Sequence, residues 1–169
     1  MSLGRTERFD SSRHDAASFR SGEEALDAWL RSYASQSQRR DAARTFVAVD
    51  GGRVVGYYAL VATTIDHAAA TAAARHGLSQ RFPIPAALIA RLAVDETWQG
   101  RGLGRSLLRD AAVRILRAAD EVAIRAVLVH AKTRRAATFY ARYGFEPSGI
   151  DEPTLMVPLS VVRATAARR

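Results

Sequence analysis

Gln99-Gly100-Arg101-Gly102-Leu103-Gly104 follows a short apolar stretch that ends at Leu92-Ala93-Val94. It opens a run, Leu103, Leu107, Leu108, Ala111 and Ile115, spaced as one face of a helix. A strand that turns through glycines into a helix is an anion site by construction. The helix start offers unpaired N–H groups and a partial positive charge, and glycine lets that backbone come close to a phosphate. Two phosphate loops are excluded. The P-loop requires Lys-Ser or Lys-Thr after its last glycine, and here Arg105-Ser106 follows Gly104. The dinucleotide fingerprint requires G-x-G-x-x-G, whereas Gly100, Gly102 and Gly104 give G-x-G-x-G, one residue short. What remains is Q/R-x-x-G-x-G/A, filled by Gln99, Gly102 and Gly104. Six residues alone also suit an ordinary strand-to-helix turn, so their surroundings decide.

Outward from the loop, residues 86–94 read as a buried strand interrupted by Arg91, and residues 126–129 as a short apolar strand. Residues 134–143 read as a short helix closed by Gly144, followed by strands at Phe145 and 154–159. Towards the N-terminus, Ser21-Gly22-Glu23-Glu24 reads as a capping box, with Glu24 reaching back to Ser21. Leu26, Trp29, Leu30 and Tyr33 follow as an apolar helix face that fades in the polar stretch 35–40. Residues 45–49 and 54–61 flank Asp50-Gly51-Gly52 as a hairpin. Residues 68–76 are alanine-rich and suit a helix, ahead of a turn with Pro83 and Pro85. The order β-α-β-β-(α)-β-α-β-α-β-β predicts a mixed α/β domain around one sheet.

The 169 residues predict a single domain, 1–169. There is no cysteine, which excludes disulfides, thiolate zinc and a cysteine nucleophile. No apolar run approaches the ~18 residues of a membrane span, and residues 1–20 are polar without an apolar leader core, so a cytoplasmic protein is expected. The net charge is +8, and 24 of the 25 cations are arginine. A GC-rich coding bias accounts for arginine and alanine together. The physical consequence holds regardless, because arginine forks bind phosphates and carboxylates bidentately. Residues 85–169 carry 14 of the cations against 8 acids, which points to a polyanionic partner or a phosphate-rich cofactor.

The pattern at Gln99, Gly102 and Gly104 resembles the pyrophosphate loop of the GNAT acetyltransferase superfamily, which binds acetyl-CoA. Ala136-Ala137-Thr138-Phe139-Tyr140-Ala141-Arg142-Tyr143-Gly144-Phe145 is similar to the A-x-x-F-Y-x-x-x-G-F segment of the same proteins. The resemblance implies a GNAT fold: a central mixed, mostly antiparallel sheet flanked by helices, with a splayed strand pair holding acetyl-CoA. A narrower resemblance covers almost the whole chain. Phe9-Asp10, Leu26-Asp27-Ala28-Trp29-Leu30, Arg44-Thr45-Phe46-Val47, Gly56-Tyr57-Tyr58-Ala59-Leu60, Ile84-Pro85 and Arg91-Leu92-Ala93-Val94 occur in the order seen in GNAT toxins of bacterial type II toxin–antitoxin modules. Phe145-Glu146-Pro147-Ser148 and Thr154-Leu155-Met156 complete that order.

Such toxins are implied to acetylate the α-amino group of aminoacyl-tRNA, to be homodimers, and to be held by a cognate ribbon-helix-helix antitoxin. No metal is implied. By the same resemblance Tyr140 is the catalytic acid for the departing thiolate, and Leu92, Ala93 and Val94 pair with the pantetheine arm. A backbone N–H near Val94 polarises the carbonyl. Gln99, Gly100, Arg101, Gly102, Leu103, Gly104 and Arg105 form the pyrophosphate loop, with Arg135 as a further phosphate contact. Either Asp95 or Glu96 serves as a base through water, or both lie in a solvated turn. Where similar toxins carry V-D-A, this chain has Val129-His130-Ala131, so His130 either reshapes the acceptor pocket or is a satisfied strand-end histidine. Arg39, Arg40, Arg44, Arg75, Arg91 and Arg142 are candidates to receive the tRNA backbone. The alternatives are a GNAT enzyme for protein N-termini or small amines, and a non-catalytic acyl-CoA or RNA-binding module.

Overall fold

The computed structural model describes residues 5–149 and 153–168. The first four residues of the 1–20 stretch, and the extreme ends of the expected 1–169 domain, lie outside them. In chain order the elements are β1 (Glu7–Arg8), α1 (Glu24–Ser32), α2 (Ala34–Arg39), β2 (Arg44–Asp50), β3 (Arg53–Ile65), α3 (Ala72–Arg75), β4 (Ile84–Val94), α4 (Leu103–Ala118), β5 (Ala126–His130), α5 (Arg134–Ala141), β6 (Glu146–Pro147), β7 (Thr154–Pro158) and α6 (Leu159–Ala167). The strands form one seven-stranded sheet in the order β1-β2-β3-β4-β5-β7-β6. β1 with β2, β2 with β3, β5 with β7 and β6 with β7 run antiparallel. β4 and β5 run parallel, which makes the sheet mixed. Their ladder runs from Ala86↔Ala126 to Ile89↔Val129, and β4 continues to Val94. No described helix is long and apolar enough to cross a membrane.

The chain divides into two compact units, residues 1–61 with 90–111, and residues 62–89 with 112–169. In the first, Phe9, Phe19, Leu30, Ala34, Val47, Val54, Tyr57 and Ala93 form the core, with Leu26 and Trp29 of α1 packed against it. Asp50 is followed by Gly51 and Gly52 at φ +57° and +82°, the conformation a tight hairpin turn needs. α4 buries Leu103, Leu107, Leu108 and Ala111. A Cβ on Gly56 of β3 would lie 2.9 Å from Leu107 Cδ1 and 3.1 Å from Leu103 Cδ2, so glycine is what lets α4 seat this closely. In the second unit, Ile65, Ala70, Ala74, Ile84, Ala86, Ala126, Leu128 and Met156 form a separate core.

Several local expectations change. The capping box is shifted: α1 starts at Glu24, and Ser21 donates its N–H and its hydroxyl to the carboxylate of Asp27, not Glu24. Asp27 is buried there, whereas Glu24 pairs on the surface with Arg31 at 3.2 Å. Tyr33 is 57% exposed because the helix ends before it. The polar stretch after it forms α2, anchored by buried Ala34. Arg91 does not interrupt β4; its guanidinium covers the Trp29 ring and so keeps its strand position. The alanine-rich segment holds only the four-residue α3, capped by the Thr71 hydroxyl. α6 was not expected: residues 159–167 carry no cap motif, and only Leu159 is buried.

Candidate active site

In the first unit, β4 ends at Val94 and a buried carboxylate stiffens the turn. Asp95 Oδ1 accepts from the Thr97 N–H at 3.0 Å and the Thr97 hydroxyl at 2.6 Å. Its Oδ2 accepts from the Arg20 N–H at 3.0 Å and faces the Arg53 guanidinium at 3.5 Å. Burial alone would raise the Asp95 carboxyl. The hydrogen bonds from Thr97 and Arg20, together with Arg53, outweigh it and hold the group below the usual carboxylate range. Asp95 is therefore neither a water-linked base nor part of a solvated turn. It is the internal tie of the loop, and Glu96 is exposed beside it.

Gln99 continues this stitching. Its amide Nε2 donates to the Ser21 carbonyl at 2.7 Å and the Val94 carbonyl at 2.9 Å. The Glu96 N–H donates to the Arg20 carbonyl at 2.7 Å. The turn is thus fastened to residues 20–21 at three points before the glycines begin. Gly100 and Gly102 then take φ +79° and +82°, with no atom within 4 Å of where a Cβ would stand. Space beside a turn rich in free N–H groups is what a diphosphate requires. The N–H groups of Leu103, Gly104 and Arg105 open α4 and have no partner within the helix, whereas that of Ser106 is bonded to the Gly102 carbonyl. Arg101 and Arg105 are exposed on the loop, and Arg101 rests over Trp98 with Cζ 4.7 Å from the ring centroid. On β4, Ala93 faces the core, and Leu92 and Val94 are half-buried.

In the second unit, α5 is capped by the Thr133 hydroxyl and carries Tyr140. The ring is buried, edge-on to Phe139 at 5.2 Å and to Phe145 at 5.5 Å. Gly144 at φ +90° folds the chain back so that the Phe145 N–H reaches the Tyr140 carbonyl. Burial pushes the phenol up to about 12. Among the described residues the hydroxyl has no hydrogen-bond partner, yet the sole sealed and unpartnered side-chain oxygen is that of Thr45. The Tyr140 oxygen therefore still reaches solvent from a buried ring. Arg135 is exposed in the first turn of α5. His130 ends β5, exposed, with Nδ1 3.0 Å from the Thr154 hydroxyl.

The six arginine candidates separate. Arg44 is tied to Asp41 at 2.6 Å and to the Gln38 carbonyl at 2.9 Å. Arg39 and Arg40 are exposed on and after α2, in the same unit as Arg91. Arg75 and Arg142 belong to the second unit. Sequence reasoning missed the structural part of Asp95 and its partner Arg53, which are 42 positions apart; only the Asp-x-Thr turn pattern hinted at it.

Residues 41–147 match the acetyltransferase (GNAT) domain; the chain belongs to that family and is an acetyltransferase. More particularly, it is 44% identical over 154 residues to a tRNA-acetylating toxin of Mycobacterium tuberculosis, across 91% of this chain and 92% of that one. The structure of AtaT complexed with acetyl-methionyl-tRNAfMet superimposes with a TM-score of 0.87 at 27% identity, covering 95% of this chain and 98% of the other. A variant AtaT toxin bound to the C-terminus of the antitoxin AtaR and acetyl-CoA gives 0.81 at 26% identity, with 95% and 96% coverage.

Proposed function

We propose that the protein is an acetyl-CoA-dependent N-acetyltransferase that acetylates the α-amino group of aminoacyl-tRNA. It thereby acts in the cytoplasm as a translation-blocking toxin, neutralised by a cognate antitoxin. The observation that carries this is the 44% identity, across nearly the full length, to a tRNA-acetylating toxin. The relationship to antitoxin-bound AtaT supports the partner. We place a ribbon-helix-helix domain in that antitoxin, a homodimer as the active form, and residues 1–169 as one acetyltransferase domain.

The loop fits the cofactor. At Gly100 and Gly102 a Cβ would meet no protein atom within 4 Å, so this side of the turn stands open to an incoming diphosphate. The N–H groups of Gly102, Leu103, Gly104 and Arg105, with the Arg101 and Arg105 side chains, bind the pyrophosphate; Arg135 adds a phosphate contact. Gln99 holds the cradle in shape through Val94 and Ser21. Bound acetyl-CoA supplies an activated acetyl thioester. The backbone of Leu92, Ala93 and Val94 aligns the pantetheine arm, and an N–H near Val94 donates to the carbonyl oxygen as charge develops on it.

An α-amino group titrates near ~7.7–8.0, and an aminoacyl ester lower still, so much of the acceptor is neutral at pH 7. No strong base is required, which agrees with the tying-up of Asp95. The leaving sulfur needs a donor. Tyr140 holds its proton throughout the physiological range and presents its solvent-reaching hydroxyl as that acid.

Labelled acetyl should pass from acetyl-CoA to a pool of charged tRNA, and Tyr140→Phe should abolish the transfer while acetyl-CoA still binds. Label found only on free amino acids or peptides would overturn the RNA reading and leave an acetyltransferase of small amines or N-termini.

A further inference from the structure

Trp29 of α1 and Tyr57 of β3 lie nearly parallel, 10° apart, with ring centroids 6.1 Å from each other. The Arg91 guanidinium lies over Trp29, its Cζ 4.2 Å from the centroid. All three belong to one unit, and both Trp29 and Arg91 are half-buried. A cation drawn out of water normally has a carboxylate beside it. Among the described residues Arg91 has neither a carboxylate partner nor a hydrogen bond. The acid of this neighbourhood, Asp27, is 3% exposed and is taken by the backbone N–H and hydroxyl of Ser21. Tyr57 offers no charge: burial holds its phenol far above the ordinary range, and its hydroxyl donates to the Leu26 carbonyl at 2.7 Å. Burial also draws the Arg91 guanidinium down. The indole satisfies one face of a planar cation and leaves its fork of N–H donors unfilled.

That fork is shaped for an oxyanion with two oxygens in plane, a phosphate or a carboxylate, and this enzyme's substrates bring phosphates. Two phosphate sources are available to this enzyme. The cofactor's pyrophosphate is already matched by the loop that follows Val94. Arg91 stands three residues before Val94 on the same strand, about 10 Å back along it. An aminoacyl RNA end carries a phosphodiester one nucleotide before the reacting amine, on an unpaired strand free to be gripped. We propose that Arg91, held flat by Trp29, binds the last phosphodiester of the acceptor RNA and so positions the aminoacyl end. This rests on the aminoacyl-tRNA reading above and assigns a residue to it.

The test crosses Arg91→Met and Arg91→Lys with charged tRNA bearing either a natural or an uncharged methylphosphonate terminal linkage. Arg91→Met should raise KM for charged tRNA on the order of tenfold or more, with kcat and acetyl-CoA Kd within about twofold. Arg91→Lys should recover part of the loss. The neutral linkage should penalise the wild type to a similar degree and cost Arg91→Met nothing further. A wild-type KM in Arg91→Met, or an equal penalty from the neutral linkage in both proteins, overturns the proposal. A changed acetyl-CoA Kd with unchanged RNA KM also overturns it, by giving the anion to the cofactor. Independently of any turnover, fluorotryptophan-labelled protein titrated with the trinucleotide CpCpA should shift the Trp29 resonance, one of two tryptophans, in wild type and not in Arg91→Met. Should the wild type acetylate no charged tRNA, the aminoacyl-tRNA reading fails by itself. The trinucleotide titration then decides separately whether the phosphate grip exists.

Discussion

The glycine loop and the tyrosine helix solve opposite problems. Residues 99–105 must leave room: two left-handed glycines open space around their backbone, and the arginines stand out into solvent. Residues 139–145 must remove it: Tyr140 is buried against Phe139 and Phe145. An anion cradle works by exposed N–H groups, which water also solvates, so its affinity depends on shape. A proton donor works by holding its proton until the sulfur needs it, so its value depends on what surrounds the ring. The comparison predicts that the two regions fail differently: the helix through rate, the loop through affinity.

Tyr140→Phe breaks the helix side with the largest expected effect. Removal of a positioned acid costs ~10²–10⁴ in rate, so kcat should fall by that range with acetyl-CoA affinity kept. The phenylalanine keeps the ring contacts and the lost hydroxyl has no partner, so the melting temperature should hardly move. The pH profile sharpens the point. Because the phenol titrates at about 12, it is protonated at every pH of a normal assay. Rates should rise with pH as the acceptor amine loses its proton and show no alkaline fall from Tyr140 up to pH 9. A downturn near pH 8 that vanishes in Tyr140→Phe would place its ionisation far below the value burial imposes.

The loop was the more legible of the two, because backbone conformation is written in residue type. Gly100 and Gly102 stand where φ is positive, and the helix that follows repeats its leucines at helical spacing. The same logic read the Gly51-Gly52 hairpin and the Gly144 stop. Tyr140 carried no such mark. Phe139, Tyr140, Tyr143 and Phe145 are all apolar-faced aromatics, and only the resemblance singles out Tyr140 as the proposed acid. The ties of Asp95 to Arg53 and Arg20, and of Asp27 to Ser21, escaped because they depend on tertiary contact or on a capping register shifted by three residues. α2 and α6 were missed because each is held by one or two buried residues instead of an apolar stripe.

Gly102→Val attacks the loop side. A β-branched residue at φ +82° is strained by roughly 1–2 kcal/mol, and its Cβ meets no protein atom within 4 Å. The destabilisation should therefore stay near that strain, while the valine fills the cradle. Acetyl-CoA Kd should rise by about tenfold or more, with kcat at saturating cofactor changed far less. Calorimetric binding beside a thermal melt separates the two. A variant with lost kcat and unaltered Kd would dissolve the contrast between the regions.

Asp95→Asn probes whether the loop's openness depends on its buried tie, and its effect should be the smallest. Asparagine keeps one oxygen for the Thr97 groups but replaces the Oδ2 that receives the Arg20 N–H and faces Arg53 with an N–H₂ donor. A hydrogen bond to a charged group contributes ~1.5–3 kcal/mol, so stability at pH 7 should drop by about 2 kcal/mol. The sign with pH follows from the depressed carboxyl. Its contribution is complete above the ordinary Asp range of ~4 and fades as the pH falls through the lower folded value. The wild type should therefore lose its advantage over Asp95→Asn on acidification below pH 4, as denaturant midpoints at pH 7 and pH 3 would show. Because Gln99 still fastens the turn to Val94 and Ser21, acetyl-CoA affinity should weaken only a few-fold. A loss as large as that of Gly102→Val would mean that the cradle is shaped by its anchor more than by its glycines.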